Sequence, residues 1–315
     1  MREPLNVLVY TRESSASYRL RLTDSEDVRY VFCASEDEIS MWIEEADVIL
    51  GSVHFPSRLL ARARRLRWVQ VTGAGVDAFL AQVSLPEDVL LTRADVSFGD
   101  QIAEYVIGHL LAWTQRIRQV HRLQDAKRWE LLPVEFLRGR TIGVAGTGSI
   151  GRAVAECARC MGMQTVGFSR TTKDLAGFDA CYGPKQLSEF LAGLDVFVLC
   201  LPLTPETRGL IGCREFAVMK SSALLVNVAR GAIIDEQALI DALRTNALAG
   251  AILDVFATEP LPVSSPLWAM DNVTITSHHA GLNVPDEIIA FFLENLARFR
   301  SGGPLRGLID PKQGY

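Results

Sequence analysis

The chain has 315 residues, of which 49% are hydrophobic and 22% charged, and its formal net charge is −5. This composition fills a large core and excludes a disordered chain, while the negative charge argues against a general nucleic-acid binder. No apolar run approaches the roughly 20 residues of a membrane helix, and the charged amino terminus is unlike a signal peptide, so we expect a cytoplasmic protein with about two domains.

The six cysteines predict neither a disulfide framework nor a metal site. Cys157 and Cys160 have C-x-x-C spacing, but they fall inside a predicted helix. No second pair or suitably spaced histidine completes a zinc set. Free thiols are the better interpretation, which favours a reducing compartment and no bound metal.

Short apolar runs alternate with helical spacing in the first part of the chain. Strands are predicted at Leu5–Tyr10, Val28–Cys33, 47–50 and 67–71. This alternation is typical of a parallel sheet covered on both faces. The last of these strands runs into Ala74 and Gly75, where backbone N–H groups could hold a small carboxylate. From the residues alone, a plain strand-to-helix turn is an equally good interpretation.

A glycine-rich turn follows the apolar run 141–145 and precedes an apolar helical pattern. Gly146, Gly148 and Gly151 have the spacing G-x-G-x-x-G. They allow a tight turn, the close approach of a pyrophosphate and the packing of helix on strand, respectively. The helix starts with Ser149-Ile150, and its unpaired N–H groups suit a diphosphate. Strand, turn and helix in this order predict a bound dinucleotide.

The second part of the chain continues the alternation. Further strands are predicted at 164–168, 195–201, 223–228, 249–254 and 273–276. With the strand before the glycine turn they form a Rossmann sheet of about six strands. One long helix is predicted over 101–122, before the turn. A last helix over 285–300 is expected to return to the first domain, because both ends of the nucleotide unit lie inside the chain.

The tip of the strand 164–168 bears on the choice of cofactor. In a Rossmann unit an acidic residue about 20 positions beyond the turn binds the ribose 2′-OH of NAD. Here the strand runs into Ser169, Arg170 and Thr171, without a carboxylate. Arg170 can pair with a 2′-phosphate, and the two hydroxyls can hydrogen-bond it, so NADP(H) is favoured. The alternative is that Arg170 stacks beside adenine in an enzyme that also uses NAD(H).

Three polar motifs follow predicted strands in the second part: 227–231, 254–260 and 276–281. They read NVARG, DVFATEP and TSHHAG, and they supply a cation, a carboxylate and an imidazole. The carboxyl ends of parallel strands open onto the ligand crevice of a sheet. We therefore expect these three charged or polar groups to lie near one site.

These motifs, taken together, resemble the D-isomer-specific 2-hydroxyacid dehydrogenase family, in particular its glyoxylate/hydroxypyruvate reductase-like branch. The resemblance covers nearly the whole chain in family order and is far more specific than the glycine turn. The matching segments are TGAGVD, GVAGTGSIGR, LPLTPETRGLI, NVARGAIIDEQAL, DVFATEPLP, SPLW and HHAG.

The resemblance implies an α/β protein with two Rossmann-like parallel-sheet domains and an active site in the cleft between them. The substrate domain would comprise residues 1–97 and 283–315, and the dinucleotide-binding domain residues 98–282. The family usually forms homodimers through the long helix and the arm that follows, here near 101–137. The partner molecule would be a small 2-oxo or 2-hydroxy acid, with neither nucleic acid nor membrane involved.

The resemblance also implies catalytic roles. Arg230 matches the family's substrate-clamping arginine, and His278 matches the general acid/base. Glu259 matches the carboxylate that pairs with this histidine and raises its pKa, so that a proton stays available near neutral pH. Ala74 and Gly75 match the loop whose amides hold the substrate carboxylate.

Further cofactor contacts are implied by the same resemblance. Their positions are Leu201, Pro202, Thr207, Val228, Ala229, Asp254 and Ala280. The family usually reads P-H-x-A-G where this chain has Ser277-His278-His279. Counting back from the A-G pair places His278 in the catalytic position, and His279 should then point away.

The expected reaction is hydride transfer from NAD(P)H to a small 2-oxo acid such as glyoxylate or hydroxypyruvate, which gives the D-2-hydroxy acid. The alternative belongs to a different class. Some proteins of this fold are nucleotide-sensing corepressors that bind partner proteins. The complete set of Arg230, Glu259 and His278 favours catalysis without excluding sensing.

Overall fold

The computed structural model of the protein describes residues 3–11, 15–80, 85–170 and 175–310. The predicted cofactor residue Thr171 lies outside these ranges. The chain divides into two compact units, Met1–Phe98 with Asn283–Tyr315 and Gly99–Leu282. Each unit is built on one parallel sheet, so the prediction of two parallel-sheet α/β units is confirmed.

The sheet of the first unit has five strands in the order β2-β1-β3-β4-β5. They are β1 (Leu5–Tyr10), β2 (Val28–Cys33), β3 (Val48–Gly51), β4 (Trp68–Val71) and β5 (Leu90–Arg93). Every residue of the central strands β3 and β4 is buried. Strands covered on both faces are continuous apolar runs, which made them readable in the sequence.

Among the residues that the structure describes, these strands are connected by the α-helices α1 (Ser15–Arg21), α2 (Glu36–Trp42) and α3 (Asp77–Leu80). The start of α2 is set by Ser35, whose hydroxyl oxygen accepts the backbone N–H of Glu38. Three acidic residues in the first turn of α2 complement the positive end of the helix dipole.

The sheet of the second unit has seven strands in the order β12-β11-β10-β9-β6-β7-β8. They are β6 (Thr141–Ala145), β7 (Gln164–Phe168), β8 (Ala180–Tyr182), β9 (Val196–Leu199), β10 (Leu224–Asn227), β11 (Gly250–Leu253) and β12 (Val273–Ile275). All neighbours pair in parallel. The prediction of about six strands missed β8, which has only three residues and no periodicity to detect.

In the described part of the second unit, the α-helices are α4 (Phe98–Thr114), α5 (Ile117–Asp125), α6 (Ser149–Cys160), α7 (Leu187–Ala192), α8 (Cys213–Val218) and α9 (Glu236–Arg244). The prediction of one helix over 101–122 is wrong, because the helix is interrupted between α4 and α5. Arg116 adopts a left-handed conformation there, with φ of 55°. Its side chain bonds Glu135 at 3.2 Å, and this bond stabilises the turn.

The last helix, α10 (Pro285–Ser301), packs on the first sheet. Phe292 stacks on the fully buried Trp68 with ring centroids 5.3 Å apart. Asn295 is also fully buried, and its amide bonds Gln70 of β4 at 3.2 Å. In the ranges that the structure describes, no helix combines the length and apolarity needed to cross a bilayer.

Candidate active site

The polar motifs meet at the carboxyl edge of the second sheet. Chain order reverses between the neighbouring strands β6 and β9, so the loops after them diverge and leave a crevice of the kind in which parallel sheets bind ligands. The loops after β10, β11 and β12 lie side by side along the same edge, because these strands are neighbours. The glycine turn and the three polar motifs are therefore brought to one edge.

The glycine turn after β6 fits a dinucleotide diphosphate. A Cβ atom on Gly151 would lie 1.9 Å from the carbonyl oxygen of Gly146, so α6 packs directly on the turn. Gly146 itself has φ of +101° and closely approaches the backbone of Cys200. A Cβ atom on Gly148, by contrast, would meet nothing within 4 Å. Gly148 is the N-cap of α6 and has no side chain to occupy the space at the start of the helix, which leaves room there for an anion.

Ser169 and Arg170 follow β7, the strand beside β6. Ser169 is half-buried and Arg170 is exposed. The exposed Glu206 lies close enough to respond to Arg170: a hydrogen bond from Thr204, the backbone N–H of Glu206 and the Arg170 charge hold the pKa of Glu206 below its ordinary value. A cation thus lies just beyond the carboxyl end of β7, and its predicted contact with a 2′-phosphate stays a prediction.

The loop after β9 is closed by its own side chains. The hydroxyl of Thr207 donates to the carbonyl oxygen of Pro202 at 2.7 Å and accepts the N–H of Thr204 at 2.8 Å. Leu201 packs against the core of the second unit. Thr207 therefore gives this loop its shape, while its predicted contact with a cofactor stays a prediction.

The loop after β10 presents Arg230. Asn227 is fully buried, and its amide accepts the N–H of Ala229 at 3.1 Å and donates to the carbonyl of Arg230 at 3.2 Å. The Arg230 guanidinium donates through Nη1 to the Ala229 carbonyl at 2.7 Å. A Cβ atom on Gly231 would lie 1.9 Å from the carbonyl carbon of Phe256. The arginine turn is thus pressed against the backbone of the next motif.

Glu259 and His278 form the hydrogen bond that the resemblance implied. Oε2 of Glu259 lies 2.7 Å from Nδ1 of His278, and its Oε1 accepts the N–H of Phe256 at 3.0 Å. The Glu259 hydrogen bond raises the pKa of His278, against the opposing effects of burial and of the Arg230 charge. Burial raises the pKa of Glu259, but its bonds to His278 and Phe256 outweigh burial and lower it overall. Both shifts favour an imidazolium–carboxylate pair.

Asp254 organises the loop after β12. This residue is 2% exposed, and its carboxylate accepts the hydroxyl of Thr276 at 2.6 Å and the N–H groups of His279 and Ala280 at 2.9 and 3.0 Å. Its backbone carbonyl accepts the N–H of His278 at 2.9 Å. The predicted cofactor contact of Asp254 stays a prediction, since here both of its carboxylate oxygens are engaged by the loop.

The two adjacent histidines point to different partners. His278 bonds Glu259, whereas the ring of His279 lies nearly perpendicular to that of Tyr105, with centroids 6.0 Å apart. Ala280 is buried, as is Ala229, while Val228 is half-buried. For these three residues the structure shows packing, and their contacts with a cofactor stay predictions.

Ala74 and Gly75 belong to the first unit, in the loop after β4. Both are half-buried. Nη1 of Arg93, on β5, donates to the carbonyl oxygen of Ala74 at 3.4 Å. This bond helps to shape the loop, and the predicted substrate contact of its amides stays a prediction.

Sequence reasoning missed several residues that shape the site. Asn227 lies three positions before Arg230 in its motif, and the sequence does not indicate that its amide bonds the backbone of the turn. Tyr105 and Thr276 lie 171 positions apart, yet their hydroxyl oxygens are 2.8 Å apart. No spacing rule predicts such a contact. Within the described ranges, no cluster of three potential metal ligands occurs.

Comparisons with known proteins agree with the fold and identify related proteins. The family model for the D-isomer specific 2-hydroxyacid dehydrogenase NAD binding domain matches residues 107–280. The chain is 35% identical over 268 residues to glyoxylate/hydroxypyruvate reductase A of Escherichia fergusonii, covering 83% of this chain and 86% of that one.

Two solved structures are similar over nearly their full length. One is a D-isomer specific 2-hydroxyacid dehydrogenase from Xanthobacter autotrophicus in complex with NADPH and MES, with a TM-score of 0.87, 35% identity and coverage of 98% and 99% of the two chains. The other is an NADPH-dependent glyoxylate/hydroxypyruvate reductase from Sinorhizobium meliloti in complex with NADP and sulfate. Its TM-score is 0.89, with 28% identity and coverage of 99% and 100%.

Proposed function

The chain belongs to the D-isomer specific 2-hydroxyacid dehydrogenase family, and from this premise we propose that it reduces a small 2-oxo acid, such as glyoxylate or hydroxypyruvate, to the D-2-hydroxy acid. The observation that carries the proposal is the 2.7 Å bond between Glu259 and His278. Arg230 lies close enough to this pair that its charge lowers the pKa of both groups. Such an arrangement holds a proton donor beside a clamp for a carboxylate.

The residues divide the chemistry among them. The nicotinamide, when bound, supplies the hydride. Because Nδ1 of His278 bonds Glu259, Nε2 is the atom that would protonate the oxygen as it becomes an alkoxide. The guanidinium of Arg230 would bind the substrate carboxylate and polarise its carbonyl, and a planar fork of donors suits both tasks.

NADP(H) is the proposed cofactor. The glycine turn would take the diphosphate, and the exposed Arg170 would pair with the 2′-phosphate. The X. autotrophicus and S. meliloti relatives are in complex with NADPH and NADP, respectively, which supports this choice.

A substrate screen tests the function. Purified protein is mixed with NADPH and a panel of 2-oxo acids, the loss of NADPH absorbance is followed, and the product of hydroxypyruvate is resolved by chiral chromatography. We expect turnover of at least one small 2-oxo acid and formation of the D enantiomer. Tight NADPH binding without turnover of any acid would contradict an enzyme and favour the nucleotide-sensing alternative.

Replacement of Arg170 by alanine is expected to lower kcat/KM with NADPH by about tenfold to a hundredfold, because one or two charged hydrogen bonds to the 2′-phosphate are lost. kcat/KM with NADH should change little. Arg159→Ala, at the far end of α6, is the matched control and should leave the ratio of the two kcat/KM values unchanged. A wild-type preference for NADH would contradict the cofactor assignment.

The pairing of Glu259 with His278 predicts a pH dependence. Reduction needs protonated His278, so its rate is high below the raised pKa and falls as the pH rises through that pKa. In Glu259→Gln the carboxylate that raises the pKa of His278 is gone, and the falling limb of kcat/KM should move to lower pH. Glu236→Gln is the control, since this carboxylate bonds the Ala257 amide of the same loop. An unchanged limb in Glu259→Gln would refute the pairing.

We also propose that the enzyme is a homodimer. Residues 127–136, here called the arm, leave Trp129 and Leu131 fully exposed and Phe136 73% exposed. Such a concentration of apolar side chains marks an interaction surface. The root of the arm is held to α4 and α5, since Glu135 bonds the backbone of Thr114 and the side chain of Arg116. Sedimentation of the wild type as a dimer and of Leu131→Asp as a monomer would support this assignment, whereas a wild-type monomer would refute it.

A further inference from the structure

A chain of hydrogen bonds connects α4 to the loop that carries His278. The Tyr105 hydroxyl lies 2.8 Å from Oγ1 of Thr276, and that Oγ1 bonds Oδ1 of Asp254 at 2.6 Å. The Asp254 carboxylate accepts two further backbone N–H groups of the loop, at 2.9 and 3.0 Å. Three side chains thus link the helix to the catalytic loop.

The direction of each bond follows from the chemistry of the groups. A carboxylate only accepts, so the single hydroxyl proton of Thr276 goes to Asp254. Oγ1 of Thr276 is then left with lone pairs, and Tyr105 must be the donor to it. Burial raises the pKa of Tyr105, so the phenol keeps this proton throughout the working pH range.

The loop after β12, to which these hydrogen bonds lead, has a backbone conformation that needs support. His278 has φ of 55°, in the left-handed region that a residue with a Cβ atom seldom adopts. Its own N–H bonds the carbonyl of Asp254, and the next two N–H groups bond the Asp254 carboxylate. The conformation that presents the imidazole to Glu259 therefore depends on where Asp254 is held.

The hydroxyl of Tyr105 is separable from its ring. The ring packs against His109, with centroids 4.2 Å apart, and lies nearly perpendicular to the ring of His279. Phenylalanine would keep both ring contacts and lose only the donor to Thr276. A substitution can therefore remove the hydrogen bond without opening a cavity.

We propose that Tyr105 is a positioning residue for His278, whose hydroxyl acts through Thr276 and Asp254 to hold the catalytic loop in its left-handed conformation. The inference rests on the proposed reduction of a 2-oxo acid with His278 as proton donor. Tyr105 acts through two other side chains, so it changes how often the imidazole is in place. That effect belongs in kcat, and binding of the cofactor should be insensitive to it.

Steady-state kinetics of four variants test the inference. Tyr105→Phe is expected to lower kcat for hydroxypyruvate about fivefold to tenfold, the usual effect of one neutral hydrogen bond, with KM for NADPH unchanged. Thr276→Val should lower kcat further, because it also removes one of the two donors to the buried Oδ1 of Asp254, whereas Thr276→Ser keeps the hydroxyl and should restore most of the loss. Tyr30→Phe, in the first sheet, is the matched control and should leave kcat unchanged.

Two further measurements separate positioning from general destabilisation. Amide hydrogen exchange of the cofactor-free protein should be faster across 276–282 in Tyr105→Phe, with the melting temperature nearly unchanged. In the double variant Tyr105→Phe/Thr276→Val, kcat should match that of Thr276→Val, because both changes interrupt one chain.

An unchanged kcat in Tyr105→Phe, equal losses in Thr276→Ser and Thr276→Val, or additive losses in the double variant would overturn the inference. A wild-type protein that turns over no 2-oxo acid would instead overturn the proposed function. In that case faster exchange across 276–282 in Tyr105→Phe would still support the hydrogen-bonded chain, and unchanged exchange would refute it.

Discussion

His278→Gln is expected to lower kcat for reduction of hydroxypyruvate by about 10²- to 10⁴-fold, the usual contribution of a positioned general acid. Glutamine can still hydrogen-bond Glu259, but it has no proton of suitable acidity to give to an alkoxide. The dissociation constant of NADPH, measured by fluorescence titration, should stay within a few-fold of the wild type. The loss should therefore appear in kcat, measured from the rate of NADPH oxidation at saturating substrate.

His279→Gln is the matched control for this experiment. Its backbone N–H bonds Asp254 whatever the side chain, and its ring lies nearly perpendicular to that of Tyr105. We expect a change in kcat of less than about tenfold, because only ring packing is altered. If His279→Gln is the more damaging of the two, the assignment of the proton donor to His278 is wrong.

Arg230→Lys is expected to lower kcat/KM for the 2-oxo acid by about 10²- to 10³-fold, even though the positive charge is kept. The loss of a buried charged contact costs about 2–5 kcal/mol, and every 1.4 kcal/mol is a factor of ten. The ammonium of lysine is a point charge without the planar fork that can hold a carboxylate and a carbonyl oxygen together. Initial rates over a range of substrate concentrations measure the effect, and KM for NADPH should be unchanged.

Chemical rescue sharpens this test. In Arg230→Ala the bonds of Asn227 to the turn go to backbone groups, so the turn should survive and leave room for a small cation. Added guanidinium at millimolar concentration should then restore part of the activity, whereas added ammonium should restore less. Arg244→Lys, on the exposed face of α9, should behave as the wild type. Equal activity of Arg230→Lys and the wild type would show that the substrate is held elsewhere.

The parts of the fold that were predictable are those with a strong one-dimensional signal. Central strands such as β6 and β10 are continuous apolar runs because both of their faces are buried. The strand β5 (LLTR) was missed, since only two of its four residues are buried. No glycine or proline in the sequence indicates the interruption of the helix at Arg116. The turn there is stabilised by a contact with Glu135, 19 positions along the chain.

The site was predictable to a similar degree. Residues that follow a strand end, such as Arg230 and His278, could be placed because the edge of a parallel sheet gathers its loops. The hydrogen bonds among these residues could not be predicted, since they depend on how neighbouring loops and helices are placed in three dimensions. The contact of Tyr105 with Thr276 joins a helix to the sheet edge, and the three bonds to the Asp254 carboxylate require the loop to fold back upon β11.

The tight approach of Gly231 to Phe256 has a practical consequence for engineering. The Arg230 turn touches the carbonyl group of Phe256, and the backbone N–H of that same residue bonds Glu259. Any side chain introduced at position 231 would shift both charged groups at once, and no local repair restores one without the other. Attempts to broaden the range of acids accepted should therefore leave these two turns as a fixed unit and diversify the remaining walls of the pocket.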